Sequence, residues 1–401
     1  MITVIEYQRS PARFLAARGA SGRLSGAFGT GIAGSLAPLR LINRPDPKPP
    51  AQGWARVRPL LSGICGSDLA LLTGRSSPYL SPVVSMPFVP GHEVVGTLLD
   101  DAGDLAAGSR VVLDPILSCE PRDLTLCPAC AAGHESRCDH VTAGSVSAGQ
   151  QTGYCHDTGG GWGGMLVAHA SQLHAVPEEL PNERAVLVEP LACAVHTVRR
   201  AAVPEGASVV IVGAGTVGLL TLLALREFAK PGPVYVIAKH GHQRERARAL
   251  GATDVLEPRQ AARTLRRATG ASLQKPERGA DFLLGGVDVA IECTGGSGLD
   301  SALRLTRAGG RIVLSGMPST NVDLTPLWYR ELTLVGAYAS DSGGHEHHDD
   351  FVDALSLVGH APLDGFVDAV YPLTQWREAI GHALAAGRLG SVKVVFDPAR
   401  N

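Results

Sequence analysis

The stretch Val209-Val210-Ile211-Val212-Gly213-Ala214-Gly215-Thr216-Val217-Gly218 decides the fold. A short β-branched run leads into Gly-x-Gly-x-x-Gly, and an apolar helical pattern follows. Glycines at these positions permit a tight turn, close approach of backbone to a pyrophosphate, and close packing of helix on strand. The helix N-terminus adds amide donors and a favourable dipole for phosphate. Gly213, Gly215, Thr216, Val217 and Gly218 are therefore the candidate dinucleotide-binding residues.

Outward from this loop, strands and helices alternate. Strands are expected over 208–212, 234–238, 287–292 and 310–315. Helices are expected over 216–230, 243–250 and 299–307, with a further helical stretch at 191–202. This alternation predicts a doubly wound parallel sheet, an α/β fold of the Rossmann kind. The first half reads differently. It is dense in glycine, proline and short apolar runs, with strands at 54–64 and 94–99, which suits a β-rich domain. After about Tyr338 the pattern loosens, and Val392 to Phe396 closes the chain as a strand. At 401 residues the chain exceeds one ordinary core, so two domains are expected.

The next strand past the loop informs the choice of nucleotide. An acid about 20 residues on would hold a ribose 2′-hydroxyl. Here Ala238 takes that place, followed by Lys239, His240 and Arg244. Loss of the acid removes repulsion toward a 2′-phosphate, and the cations can pair with it. NADP is expected ahead of NAD, with loose selectivity as the alternative.

The cysteines point to metal. Four of the eight fall together: Cys119, Cys127, Cys130 and Cys138. The Cys127-Pro128-Ala129-Cys130 run with Cys138 has the pitch of thiolates closing on a tetrahedral zinc. Cys65 lies in Gly63-Ile64-Cys65-Gly66-Ser67-Asp68, and Gly91-His92-Glu93 follows. A catalytic zinc needs about three protein ligands and an exchangeable position. Cys65, His92 and an acid, Glu93 or Glu189, would supply them. Cys193 and Cys293 read as packing residues, and Cys155 has no assigned role. His345-Glu346-His347-His348 reads as a solvated loop, with metal binding as the alternative.

The remaining features exclude whole classes of function. A net charge of -2 and 5% aromatic residues offer neither a field nor a stacking surface for nucleic acid. The apolar run Val217 to Leu225 is too short for a bilayer, so no membrane partner is expected. Clustered cysteines without a signal-like N-terminus imply a reducing, cytoplasmic setting. From Tyr7 to Pro45 there are arginines but no acids, a composition that mimics a transit peptide. The other reading is an insertion between two strands, since Ile2 to Tyr7 already reads as a strand.

The ordered set Cys65, His92-Glu93, the cysteine lobe, Glu189-Pro190 and the glycine loop resembles the zinc-dependent medium-chain alcohol dehydrogenases. It is closest in style to their sorbitol- and threonine-dehydrogenase branches. The resemblance implies a GroES-like catalytic domain over 1–190 and 340–401 and a Rossmann domain over 191–339. It implies catalytic zinc on Cys65 and His92, structural zinc on the cysteine lobe, and a homodimer or homotetramer. It implies hydride transfer between a small alcohol or carbonyl substrate and NAD(P), with Ser67 as first proton acceptor. Two departures stand out. Cys119 precedes Cys127 by eight residues rather than three, so Glu120 to Leu126 would have to loop out. Ala70 occupies the place where many members carry a relay histidine. Two rivals remain: a zinc-free quinone or alkene reductase of the same fold, and a zinc-stapled nucleotide-binding protein without turnover.

Overall fold

The computed structural model describes residues 1–23, 36–317, 321–343 and 349–400. Its strands, in chain order, are β1 (Ile2–Tyr7), β2 (Leu39–Arg44), β3 (Trp54–Gly63), β4 (Val94–Leu98), β5 (Arg110–Leu113), β6 (Leu166–His169), β7 (Leu173–Ala175), β8 (Val209–Val212), β9 (Val234–Ile237), β10 (Asp254–Leu256), β11 (Ser272–Gln274), β12 (Phe282–Leu284), β13 (Val287–Glu292), β14 (Thr306–Leu314), β15 (Thr333–Gly336), β16 (Val367–Pro372) and β17 (Lys393–Asp397). The chain divides into two compact units, Met1–Glu189 with Ser340–Asn401, and Pro190–Ala339.

The first unit is built on a seven-stranded sheet in the order β16-β17-β3-β4-β5-β7, with β6 also paired to β3. All of its pairings are antiparallel except β16–β17. β1 and β2 form a separate antiparallel pair, in register from Ile2↔Arg44 to Tyr7↔Leu39. Between them, the described part of the arginine-bearing stretch contains the helix Pro11–Arg23. β1 is tied into the unit, since Ile5 N donates to Trp162 O at 2.9 Å and Tyr7 N to Phe88 O at 2.8 Å. Phe88, Trp162 and Phe396 are buried at the centre of this core, with Trp162 edge-on to Phe396 at 5.2 Å.

The second unit carries a six-stranded sheet, β10-β9-β8-β13-β14-β15, parallel throughout. Its inner strands are apolar on both faces because helices cover both, as parallel sheets require. β8 is buried at all four residues. Strand order reverses between β8 and β13, and ligands of such sheets bind at that switch point, outside the carboxyl ends of the strands.

Two regions differ from the sequence reading. β14 starts at Thr306 rather than 310, because it already pairs with β13 at Val287↔Thr306; the preceding helix accordingly ends at Leu305. The loosened pattern after Tyr338 contains two further helices, Asp350–His360 and Trp376–Leu389, and a strand, β16. The first helix is capped by Asp349, whose carboxylate accepts from Phe351 N at 2.8 Å and Val352 N at 3.0 Å. The second ends at Gly390, with φ 86°. The His345–His348 stretch lies outside the described residues.

Candidate active site and metal centres

β3 delivers Cys65 to the start of the helix Gly66–Leu72, where Asp68 Oδ2 accepts the Cys65 N–H at 2.9 Å. Ser67 lies in the first turn of that helix, two residues past Cys65. The turn before β4 delivers His92 and Glu93, both buried. A side chain at Gly63 would overlap the Glu93 carboxylate, so glycine is what lets β3 and Glu93 approach. Donor atoms of Cys65, His92 and Glu93 all lie within 4.8 Å of one another. His92 Nδ1 is buried without a hydrogen bond, 3.7 Å from Asp68 Oδ1. Behind them the Tyr154 hydroxyl donates to Asp68 Oδ1 at 3.3 Å.

Glu189 opens the helix Val188–Ala201 and is buried, but it stands outside the three-donor group. It is coupled by charge to His92, Glu93 and Cys65. The residue that sequence reasoning missed is Lys393 on β17. Its ammonium is fully buried against Glu93 Oε2 and donates to Ile64 O at 3.3 Å. The available signal was a lysine at the head of the apolar run Val394-Val395-Phe396.

The electrostatics of this pocket favour a cation. Burial, with Glu93 and Asp68 adding, pushes the Cys65 thiol up to about 12. Burial, with Glu93 and Cys65 adding, pushes the Glu189 carboxyl up to about 8. Burial also raises Asp68. Burial pulls Lys393 down, yet Glu93 and Cys65 outweigh it and hold its pKa above the ordinary lysine value. Four acidic groups thus share a dry pocket with one lysine and one histidine. A dication on the thiolate, imidazole and carboxylate would offset the excess, so the donor set fits zinc.

The second cluster is closed. Cys119, Cys127, Cys130 and Cys138 are buried with their sulfurs mutually within 4.8 Å. The Cys119 and Cys138 sulfurs are 3.6 Å apart, and His140 Nδ1 lies 3.3 Å from Cys119 Sγ. The seven-residue spacer does not loop out. It curls back, with Arg122 N and Leu124 N both donating to Cys119 O, at 3.2 and 3.1 Å, which returns the chain to the cluster. Four thiols facing one another, with no acid among them, fit a structural zinc. The loop between the third and fourth cysteines is seamed to the segment 341–343. Asp341 accepts from Ser136 N at 2.9 Å and faces His134 Nδ1 at 3.3 Å and Arg137 at 3.5 Å. Gly343 N donates to Gly133 O at 3.0 Å, and Ser342 N to Glu135 Oε2 at 3.0 Å.

At the nucleotide loop the three glycines answer three constraints. Gly213 has φ 105°, and a Cβ there would lie 2.6 Å from Thr294 Cγ2. Gly215 faces open space at the start of the helix Thr216–Phe228, which leaves room for phosphate against its amides. A side chain at Gly218 would overlap Gly213 O. Thr216 and Val217, in the first turn, are half-buried. At the end of β9, Ala238 is buried, Lys239 is exposed, and His240 precedes the helix Gly241–Ala249. Arg244 is engaged: it donates to Lys239 O at 3.2 Å and lies 3.5 Å from Glu257.

Comparison with known proteins agrees with this geometry. Residues 51–178 match the family "Alcohol dehydrogenase GroES-like domain", and residues 216–359 match "Zinc-binding dehydrogenase". A sorbitol dehydrogenase of Arabidopsis thaliana is 31% identical over 71% of this chain and 73% of its own length. An L-idonate 5-dehydrogenase of Vitis vinifera is 30% identical over 71% of this chain and 72% of its own. Among solved structures, a zinc-binding dehydrogenase of Sinorhizobium meliloti 1021 bound to NADP superposes with a TM-score of 0.69, at 26% identity over 99% of both chains. The chain belongs to the zinc-type medium-chain alcohol dehydrogenases. Within that family it falls in the sorbitol-dehydrogenase-like branch, and it is an NAD(P)-linked oxidoreductase.

Proposed function

We propose that the chain oxidises a secondary alcohol of a polyol or sugar-acid substrate, or reduces the corresponding ketone, with NADP preferred to NAD. The observation that carries this reading is the convergence of Cys65, His92 and Glu93 within 4.8 Å in one buried pocket. The names of the two plant relatives motivate the substrate class. In this reading Cys65, His92 and Glu93 hold catalytic zinc, and Glu189 acts beside it rather than on it. Bound there, zinc would supply Lewis-acid polarisation of the substrate oxygen, and the nicotinamide would supply the hydride acceptor.

Ser67, two residues past Cys65 in the first turn of the helix Gly66–Leu72, is placed to take the hydroxyl proton. Asp68 is a poor next station, because Cys65 N and Tyr154 already occupy its oxygens. With Ala70 in place of a histidine, water carries the proton out. Lys239 and His240 would meet the 2′-phosphate, and the buried Ala238 removes the competing acid. Arg244, held near Glu257, contributes less directly. The four-cysteine lobe takes structural zinc. We read 1–190 with 340–401 as the catalytic domain and 191–339 as the nucleotide domain.

The assembly proposed is a homodimer or homotetramer. Among the described residues no strand covers the outer edge of β15, and Trp328, Tyr329 and Leu324 nearby in sequence are exposed. No helix among the described residues is long and apolar enough to cross a membrane. Free thiols and a near-neutral charge suit the cytoplasm and give nucleic acid no hold.

The test is a panel of polyols, aldonates and their ketones with both cofactors, on protein of measured zinc content. About two zinc ions per chain and a higher kcat/KM with NADP support the reading. A zinc-free protein reducing quinones, or one binding nucleotide without turnover, would replace it.

A further inference from the structure

Arg122 sits in the seven residues between Cys119 and Cys127, and its side chain is 0% exposed. All five of its hydrogen bonds go to backbone carbonyls. Nε donates to Leu117 O at 2.9 Å. Nη1 donates to Ala143 O at 2.7 Å and Val146 O at 3.0 Å. Nη2 donates to Ser147 O at 3.2 Å and Gly149 O at 2.6 Å. Its own backbone continues the same seam: Arg122 N donates to Cys119 O, and Arg122 O accepts from Ser145 N at 3.0 Å. The guanidinium therefore joins the chain entering the cysteine lobe to the chain leaving it.

Among the described residues, no carboxylate forms an ion pair with Arg122. A buried cation satisfied only by neutral carbonyls is costly unless opposite charge lies nearby. Burial pulls its pKa down; the groups that oppose this are Cys155, Cys138, Cys119 and Asp157.

We propose that Arg122 is the clamp at the base of the four-cysteine site: its fork ties the chain entering the lobe to the chain leaving it, so that the four sulfurs stay gathered for a soft divalent ion. The inference rests on the reading of the lobe as a zinc site and extends it to a residue that touches neither metal nor substrate. The lengthened spacer then has a purpose: it carries this cation into the interior. Arginine suits the role and lysine does not, because only the planar fork reaches five acceptors at once.

The experiment uses the full chain in a Cys65→Ser background, where the lobe is the remaining site. Zinc is counted by elemental analysis, and its release to a chromogenic chelator is timed. Arg122→Met is expected to speed release by about tenfold or more, the usual effect of losing a partner that supports metal ligands. Arg122→Lys, which keeps the charge but not the fork, should fall between. Release from Arg122→Met at the parent rate overturns the proposal while leaving the zinc reading intact. Should Arg122→Met fail to fold, Arg122→Lys decides: faster release supports the clamp, and unchanged release overturns it. A Cys65→Ser parent that holds no zinc removes the lobe reading and this inference together.

Discussion

The four-cysteine lobe and the Cys65–His92–Glu93 pocket gather similar donors in opposite ways. The lobe draws its sulfurs from one stretch of 20 residues, Cys119 through Cys138, and gathers them within 4.8 Å of one another. The pocket draws on β3, the turn before β4, β17 and the helix Val188–Ala201, and mixes sulfur, imidazole and carboxylate with a lysine. Each has one buried cation, but they differ in kind. Lys393 contacts a candidate ligand, Glu93, and so competes with a metal for it. Arg122 contacts only backbone. A closed donor set suits holding an ion, and a mixed, over-charged one suits using it.

The largest test of this contrast compares Cys65→Ser with Cys130→Ser. Each should lose one zinc per chain. The first should lower kcat/KM by about a thousandfold or more, since polarisation by the metal is worth several kcal/mol. The second should keep most of its turnover while its thermal midpoint falls. Equal loss of activity in both would erase the distinction.

Lys393→Met asks whether the pocket depends on its internal cation. Removing one partner of a buried pair strands the other, so the metal-stripped protein should lose about 3 kcal/mol, read from urea unfolding. Zinc should restore part of that loss by engaging Glu93. A variant as stable as the parent would show that the Lys393–Glu93 pair contributes nothing to the metal-free fold.

Ser67→Ala should reduce kcat by about a hundredfold, as expected for loss of a positioned proton acceptor, with zinc content unchanged. Unchanged turnover would remove Ser67 from the proton path.

The last test concerns pH and lies outside both clusters. Burial, reinforced by Asp349, Glu135 and Asp341, raises the Asp114 carboxyl from 3.8 to about 8. A raised acid binds more protons folded than unfolded, so its contribution declines as pH rises from about 4 to about 8. Asp114→Asn should flatten that decline over the same pH window. A stability–pH curve parallel to the parent's would assign the slope to other groups.

The nucleotide unit was the more legible half. A β-branched run into Gly213, Gly215 and Gly218 is a local signal, and the parallel sheet follows from alternation alone. The two groups of donors were also legible, since Cys65, His92 and Glu93, and the four clustered cysteines, each converge within 4.8 Å. What stayed hidden was long-range or masked by composition. Nothing near Lys393 in sequence announces Glu93, because the pair forms only when β17 lies beside β3. The spacing before Cys127 suggested an idle bulge, since the demand that turns it inward is the carbonyl array of 143–149. The helices after residue 349 were missed because Asp349 and Gly390 delimit them while their apolar stripes are short.

The seam between the lobe and residues 341–343 lies one step past Ser340, where the chain re-enters the first unit. An ion bound by the cysteines would thus also act as a rivet on that crossing. Stripping it with a thiol reagent should first unmask amide hydrogen exchange at Asp341 and Gly343, well before any strand of the neighbouring sheet opens. Damage to sulfur would then reach the linker while the folds on either side stay whole.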